Sequence, residues 1–218
     1  MGRPARRRPR RVIFGVLGGL VAVAVVGVVA ASAFGPQQEP QAESPAAPAA
    51  STASGCVAGT DITAAEVLAE QARQDLTVVG AAQFAGLYAQ FAYQVPQVTA
   101  ADRAEVRTAI ARDAYDASLD ELNDSFYASR YEGQSAFPSL ADGRYVINDA
   151  STDQVTVSVL AIPTTADGNA VVVAGTARSL TVTFTLEPSD DGWTIVDGSP
   201  RSSADELAES GTLYTEGC

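Results

Sequence analysis

The sequence predicts an α+β fold: an N-terminal transmembrane helix and a tether, then three to four helices packed on an antiparallel sheet. Three observations predict it. Residues 12–34 are a run of 23 residues without one charge. From about residue 57 to 132 the apolar side chains recur at helical spacing. From Gly143 onward the apolar period falls to two, with turn residues between the runs.

The first element is the apolar run Val12 to Phe34. At about 1.5 Å per residue it reaches roughly 34 Å, enough to cross a hydrocarbon core of about 30 Å. Six of the fourteen basic residues, all of them arginines, lie in the first eleven positions. By the positive-inside rule residues 1–11 form a cytoplasmic arginine-rich stub, and the chain beyond the helix is extracytoplasmic. A secretory signal is the rival reading, because Ala31-Ser32-Ala33 is a small-x-small cleavage pattern and cleavage near Ala33 would give a secreted protein. The run exceeds the usual signal core of about 7–15 residues, which favours an uncleaved anchor. Residues 35–55 follow, rich in Pro, Ala and Ser and without an apolar face, and they read as an extended tether.

The expected globular domain spans residues 56–218. Its limits carry the only two cysteines, Cys56 and Cys218. An isolated pair at the two ends of one domain in an oxidising compartment reads as a disulfide. Closing a loop of roughly 160 residues contributes about 5 kcal/mol in the chain-entropy account, an upper figure because strain is ignored. CxxC spacing is absent, which argues against a redox site.

Thr63-Ala64-Ala65-Glu66 is a capping box, and Val67, Leu68, Ala72, Leu76 and Val79 follow at helical spacing. Phe84, Leu87, Tyr88, Phe91 and Val95 make a second stripe, stopped by Pro96. A third helix starts at Thr99 or Ala100 and carries Val106, Ala109, Ile110 and Ala114. Ser118 to Glu121 is a second capping box, leading into Leu122, Phe126 and Tyr127. The strands begin at Arg144 to Asn148 and Gln154 to Pro163. Ala170 to Leu186 reads as one long stretch, with Leu180, Val182, Phe184 and Leu186 on one face and Ser179, Thr181, Thr183 and Thr185 on the other. Ala166 to Asn169 and Asp190 to Gly192 supply turns. Trp193 to Val196 closes the sheet, and a short helix over Ala204 to Ser210 ends at Gly211. The helices must cover the apolar face; the threonine-rich face is solvated or used for association.

Composition excludes several activities. There is no histidine and no lysine, and all twenty-six acids lie at or after Glu39. Without histidine, Ser-His-Asp and Cys-His catalysis, HExxH zinc sites and Cys2His2 fingers are impossible. An acidic ectodomain repels phosphate backbones, so nucleic acid is not an expected partner. No catalytic, cofactor or metal set is expected. Asp120, Glu121 and Asp124 are clustered but lack the Asp/Asn-Gly loop of an EF-hand.

The helical first half, the antiparallel sheet and the last strand Asp190-Asp191-Gly192-Trp193-Thr194-Ile195-Val196-Asp197 resemble the NTF2-like cone fold, in which the sheet is curved. With the arginine-rich stub and single anchor, the whole resembles VirB8/TcpC-like components of conjugative transfer machines in Gram-positive bacteria. It equally resembles Mce-associated membrane proteins of actinobacteria. The resemblance covers about residues 60–200 and is one of architecture. It implies a non-catalytic scaffold held in the membrane by residues 12–34, with other envelope proteins or a second copy of the chain as partners. The alternative it implies is a small-molecule-binding protein or an isomerase or dehydratase working in the cone cavity. Candidate pocket residues for that alternative are Arg178, Tyr88 and Asp113, with Tyr115 and Asp116. Arg178 shares the parity of Leu180 and would point into the cone, where it needs a carboxylate or ligand; otherwise it lies at a frayed strand end and reaches solvent.

Overall fold

The computed structural model describes residues 52–59, 62–110, 131, 133–199 and 202–217. The expected transmembrane segment and arginine stub, the second capping box, Asp113, Tyr115, Asp116, the Asp120–Asp124 cluster and Cys218 all lie outside them. Among the described residues no helix is long and apolar enough to cross a membrane. The elements run β1 (Ser54–Gly55), α1 (Ala64–Arg73), α2 (Val78–Ala92), α3 (Ala100–Ile110), β2 (Phe137–Ala150), β3 (Val155–Thr164), β4 (Val172–Val173), β5 (Thr176–Ala177), β6 (Leu180–Ser189), β7 (Gly192–Ser199), α4 (Ala204–Ser210), β8 (Thr212–Leu213) and β9 (Thr215–Gly217). The fold is α+β, and α1 to α3 precede the long strands of the sheet as the change of period requires.

The capping box at Thr63 forms: its hydroxyl accepts from the Glu66 amide, and the Glu66 carboxylate reaches back to the Thr63 amide. The single stripe expected to run from Val67 to Val79 is broken. α1 ends at Arg73, and Thr77 caps a new helix by accepting from the Gly80 amide at 3.1 Å. Leu76 is left in the connection, 54% exposed. The next stripe is core as expected, since Phe84, Leu87, Tyr88 and Phe91 are all buried. Val95 differs. α2 stops at Ala92, and Val95 pairs as an isolated bridge with Ala136.

The main sheet has the order β7-β6-β3-β2-β8, with every neighbouring pair antiparallel. One face carries Val155, Val157 and Val159 of β3 and Leu180, Val182, Phe184 and Leu186 of β6, all buried against α2. Each such side chain stabilises the fold by about 1.5–3 kcal/mol through removal from water. α4 lies against β2 and β3, and its Leu207 and Leu160 of β3 are buried apart from the main core. The threonine-rich face is thus partly covered rather than fully solvated.

Two strand expectations need correction. β2 starts at Phe137, well before Arg144, because a bulge hides its beginning: Ser139 pairs with Ile162 and Arg144 with Leu160. Leu140, inside the bulge, fills space that Gly55 and Gly86 leave open; a Cβ on either would lie 2.8 Å from the leucine. The stretch Ala170 to Leu186 is not one strand. Ala174 and Gly175 both take positive φ (50° and 79°), so β4 and β5 form a separate tight hairpin before β6 begins.

The two ends of the domain meet. β1 and β9 pair in parallel, with Ser54 opposite Thr215 and Gly55 opposite Gly217. The Thr215 amide donates to Ala53 O at 2.9 Å, and Ala53 is fully buried. The fold therefore takes in the last residues of the expected tether. Cys56 is disulfide-bonded, and Cys218 is the only other cysteine in the sequence.

Candidate functional site

Of the residues expected to line a cone pocket, Tyr88 and Arg178 are the ones the structure describes. Tyr88 is packed in the core, edge-on to Phe184 at 5.5 Å and tilted against Phe91 at 6.4 Å. Arg178 lies in the connection before β6, not in the strand, so its parity with Leu180 carries no direction. It is half-buried, its amide donates to Val171 O at 2.9 Å, and its Nε is buried without a hydrogen-bond partner. Asp113 lies outside the described residues. Among those residues no three His, Cys, Asp or Glu side chains group as a metal site.

A groove lies elsewhere on the surface. About 570 Å³ in volume, it lies between the C-terminal end of α2, the start of β2 and the loop after β3. Gln90 and Gln94 form its helical wall, Phe137, Pro138 and Ser139 its strand wall, and Thr164 to Ala166 with Gly168 its loop wall. Ile62 and Gly59 border it on the side of the approach to α1. Each wall is held in place. Val95 and Ala136 exchange backbone hydrogen bonds of 2.6 and 2.9 Å, fixing the turn out of α2 against the entry to β2. The loop closes on itself, with the Gly168 amide donating to Thr165 O at 2.9 Å and the Thr165 amide to Asn169 O at 2.8 Å.

The groove's chemistry is neutral. None of its described lining residues ionises. Gln94 donates through Nε2 to Phe91 O at 3.3 Å and Ile62 O at 3.4 Å, which leaves its Oε1 to accept. Thr164 Oγ1 donates to Phe137 O at 3.1 Å. Gln90 is only 7% exposed, and its carboxamide makes no hydrogen bond among the described residues. Its carboxamide, with two donors and two acceptor positions, opens onto the groove. Phe137, 36% exposed, offers an aromatic surface beside it.

Sequence reasoning missed both glutamines. The available signal was compositional: α2 is otherwise almost entirely apolar, and Gln83, Gln90 and Gln94 recur at helical spacing along and just past it. The other walls come from segments more than forty residues away, which no local pattern connects to α2.

Two further polar features stand apart. On the second sheet face Ser158, fully buried, meets Asn148 Nδ2 at 2.8 Å, Thr183 Oγ1 at 2.7 Å and Ser202 Oγ at 2.8 Å. Beside Cys56, a more polar groove of about 650 Å³ runs along Glu70, Arg73 and Thr77. No known family, curated protein or solved structure matches the chain.

Proposed function

We propose that the protein is a non-catalytic, membrane-anchored assembly subunit whose domain works outside the cell membrane. In this reading residues 12–34 are the anchor, and the domain is an NTF2-like cone of the VirB8/TcpC-like or Mce-associated kind. The observation that carries the reading is the filling of the helix–sheet interface. An enzyme of this architecture needs a polar cavity there, and here Tyr88, Val157, Val182 and Phe184 occupy the space, none more than 7% exposed. A scaffold tolerates such a filled interior, because its work is done on the outer surface.

The reading is tested in cells with the full-length chain. Membrane fractionation should retain the protein, protease added outside should remove the domain, and crosslinking should join it to envelope proteins or to a second copy. Recovery as a free monomer in every crosslinking condition would overturn the assembly role. Release from the membrane would overturn the anchor.

A further inference from the structure

We infer that the groove between α2, β2 and the loop after β3 binds a neutral saccharide. The inference stands independently of the assembly role, since it rests on the groove alone. Four features converge on that ligand.

Charge comes first. With no ionisable group in the described lining and a strongly acidic chain around it, the groove offers nothing to compensate a buried ionic ligand, whose desolvation would go unanswered. The ligand is therefore neutral. Size comes second: about 570 Å³ lies within the usual range for small-molecule sites, roughly 300–1,000 Å³.

The third feature is the hydrogen-bonding pattern. Gln90 presents an unengaged carboxamide, donor and acceptor side by side, and Gln94 presents a free Oε1 four residues along. A hydroxyl group both donates and accepts, so adjacent ring hydroxyls can serve the two carboxamides at once. Phe137 adds an apolar ring face beside these polar groups, and a pyranose has a C–H face to lay against it. An apolar platform next to convergent carboxamides is the chemistry of a ligand with one greasy face and a hydroxylated rim.

The fourth feature removes the main competitor. An extended peptide would bind by adding a strand to an open backbone edge. At the groove the free side of the strand wall is a poor template, because Pro138 has no amide to donate. Phe137 to Ser139 pair with Thr164 to Ile162 on one side, and Ala136 is already paired with Val95.

The test uses the full-length chain in a phosphocholine detergent, which carries no sugar headgroup. Ligand binding is followed by saturation-transfer NMR and calorimetry with di-N-acetylchitobiose and cellobiose. Acetyl-tetra-alanine amide serves as the neutral peptide and glucose 6-phosphate as the charged sugar. At least one disaccharide should bind saturably at millimolar concentration or below, with the peptide and the phosphate much weaker. Gln90→Leu should weaken that binding about tenfold, as expected for losing one well-made hydrogen-bonding pair. Phe137→Ala, a change at an exposed side chain that leaves the fold intact, should weaken it as well. The inference is overturned if neither disaccharide saturates, if the peptide binds in preference to them, or if Phe137→Ala binds like the parent.

Discussion

Tyr214 shows how much one buried side chain can govern. Its hydroxyl donates to Ala82 O at 3.0 Å, and its ring lies 4.9 Å from that of Tyr145. Burial, reinforced by Tyr145, holds its phenol well above the ordinary value near 10. The sign follows directly. In the unfolded chain the phenol ionises as pH passes about 10, while in the fold it stays protonated to higher pH. Its contribution is therefore complete below that point and is lost as pH climbs from the unfolded value toward the folded one. Tyr214→Phe should cost about 1 kcal/mol at neutral pH, because one buried hydrogen bond disappears. The gap between parent and variant should narrow near pH 11. Urea unfolding of both at the two pH values checks this, and an unchanged gap would contradict it. Gly192 matters for a different reason: it sits at φ 114°, and a Cβ there would lie 2.2 Å from Gln71 O. The Gly-Trp start of β7 is thereby docked on α1, with Gln71 Nε2 donating to Trp193 O at 2.9 Å and Trp193 Nε1 to Asp75 O at 3.1 Å.

Among the elements, β2, β3 and β6 are joined on their second face through a single hydroxyl. Ser158→Ala should destabilise by about 1–3 kcal/mol, since it leaves the buried Thr183 hydroxyl of β6 without its 2.7 Å partner. Thr156→Val should stay within about 0.5 kcal/mol, because Thr156 is half-buried and its hydroxyl is a long 3.4 Å from Thr185. Equal losses in chemical denaturation would show that the network has no centre at Ser158. The alternation of β3 and β6 was readable from sequence, because both strands carry one apolar face and one rich in hydroxyls. β2 was only half readable, since its bulge interrupts the period of two between Ser139 and Arg144. The β4–β5 hairpin escaped because alanine at positive φ is no turn signal, and Val171 to Ala174 read as uninterrupted strand. The helix start at Thr63 was legible from its capping box; the break at Thr77 was obscured by apolar residues that kept the helical phase across it. The groove was illegible because its walls meet through contacts between distant segments, Val95 with Ala136 and Phe137 with Thr164.

For the molecule as a whole, the disulfide at Cys56 and the β1–β9 pairing bind the beginning and end of the domain to each other. Reduction should lower the thermal midpoint substantially, with a limit of about 5 kcal/mol set by the loop closed. Differential scanning calorimetry with and without reductant measures it, and identical midpoints would mean that non-covalent pairing alone holds the ends. The neck also has a mechanical side. A pull applied ahead of Thr52 reaches the crosslinked Cys56 only four residues later. There the covalent bond passes part of the load across to Cys218. The two ends of the domain must then yield together instead of unzipping one after the other.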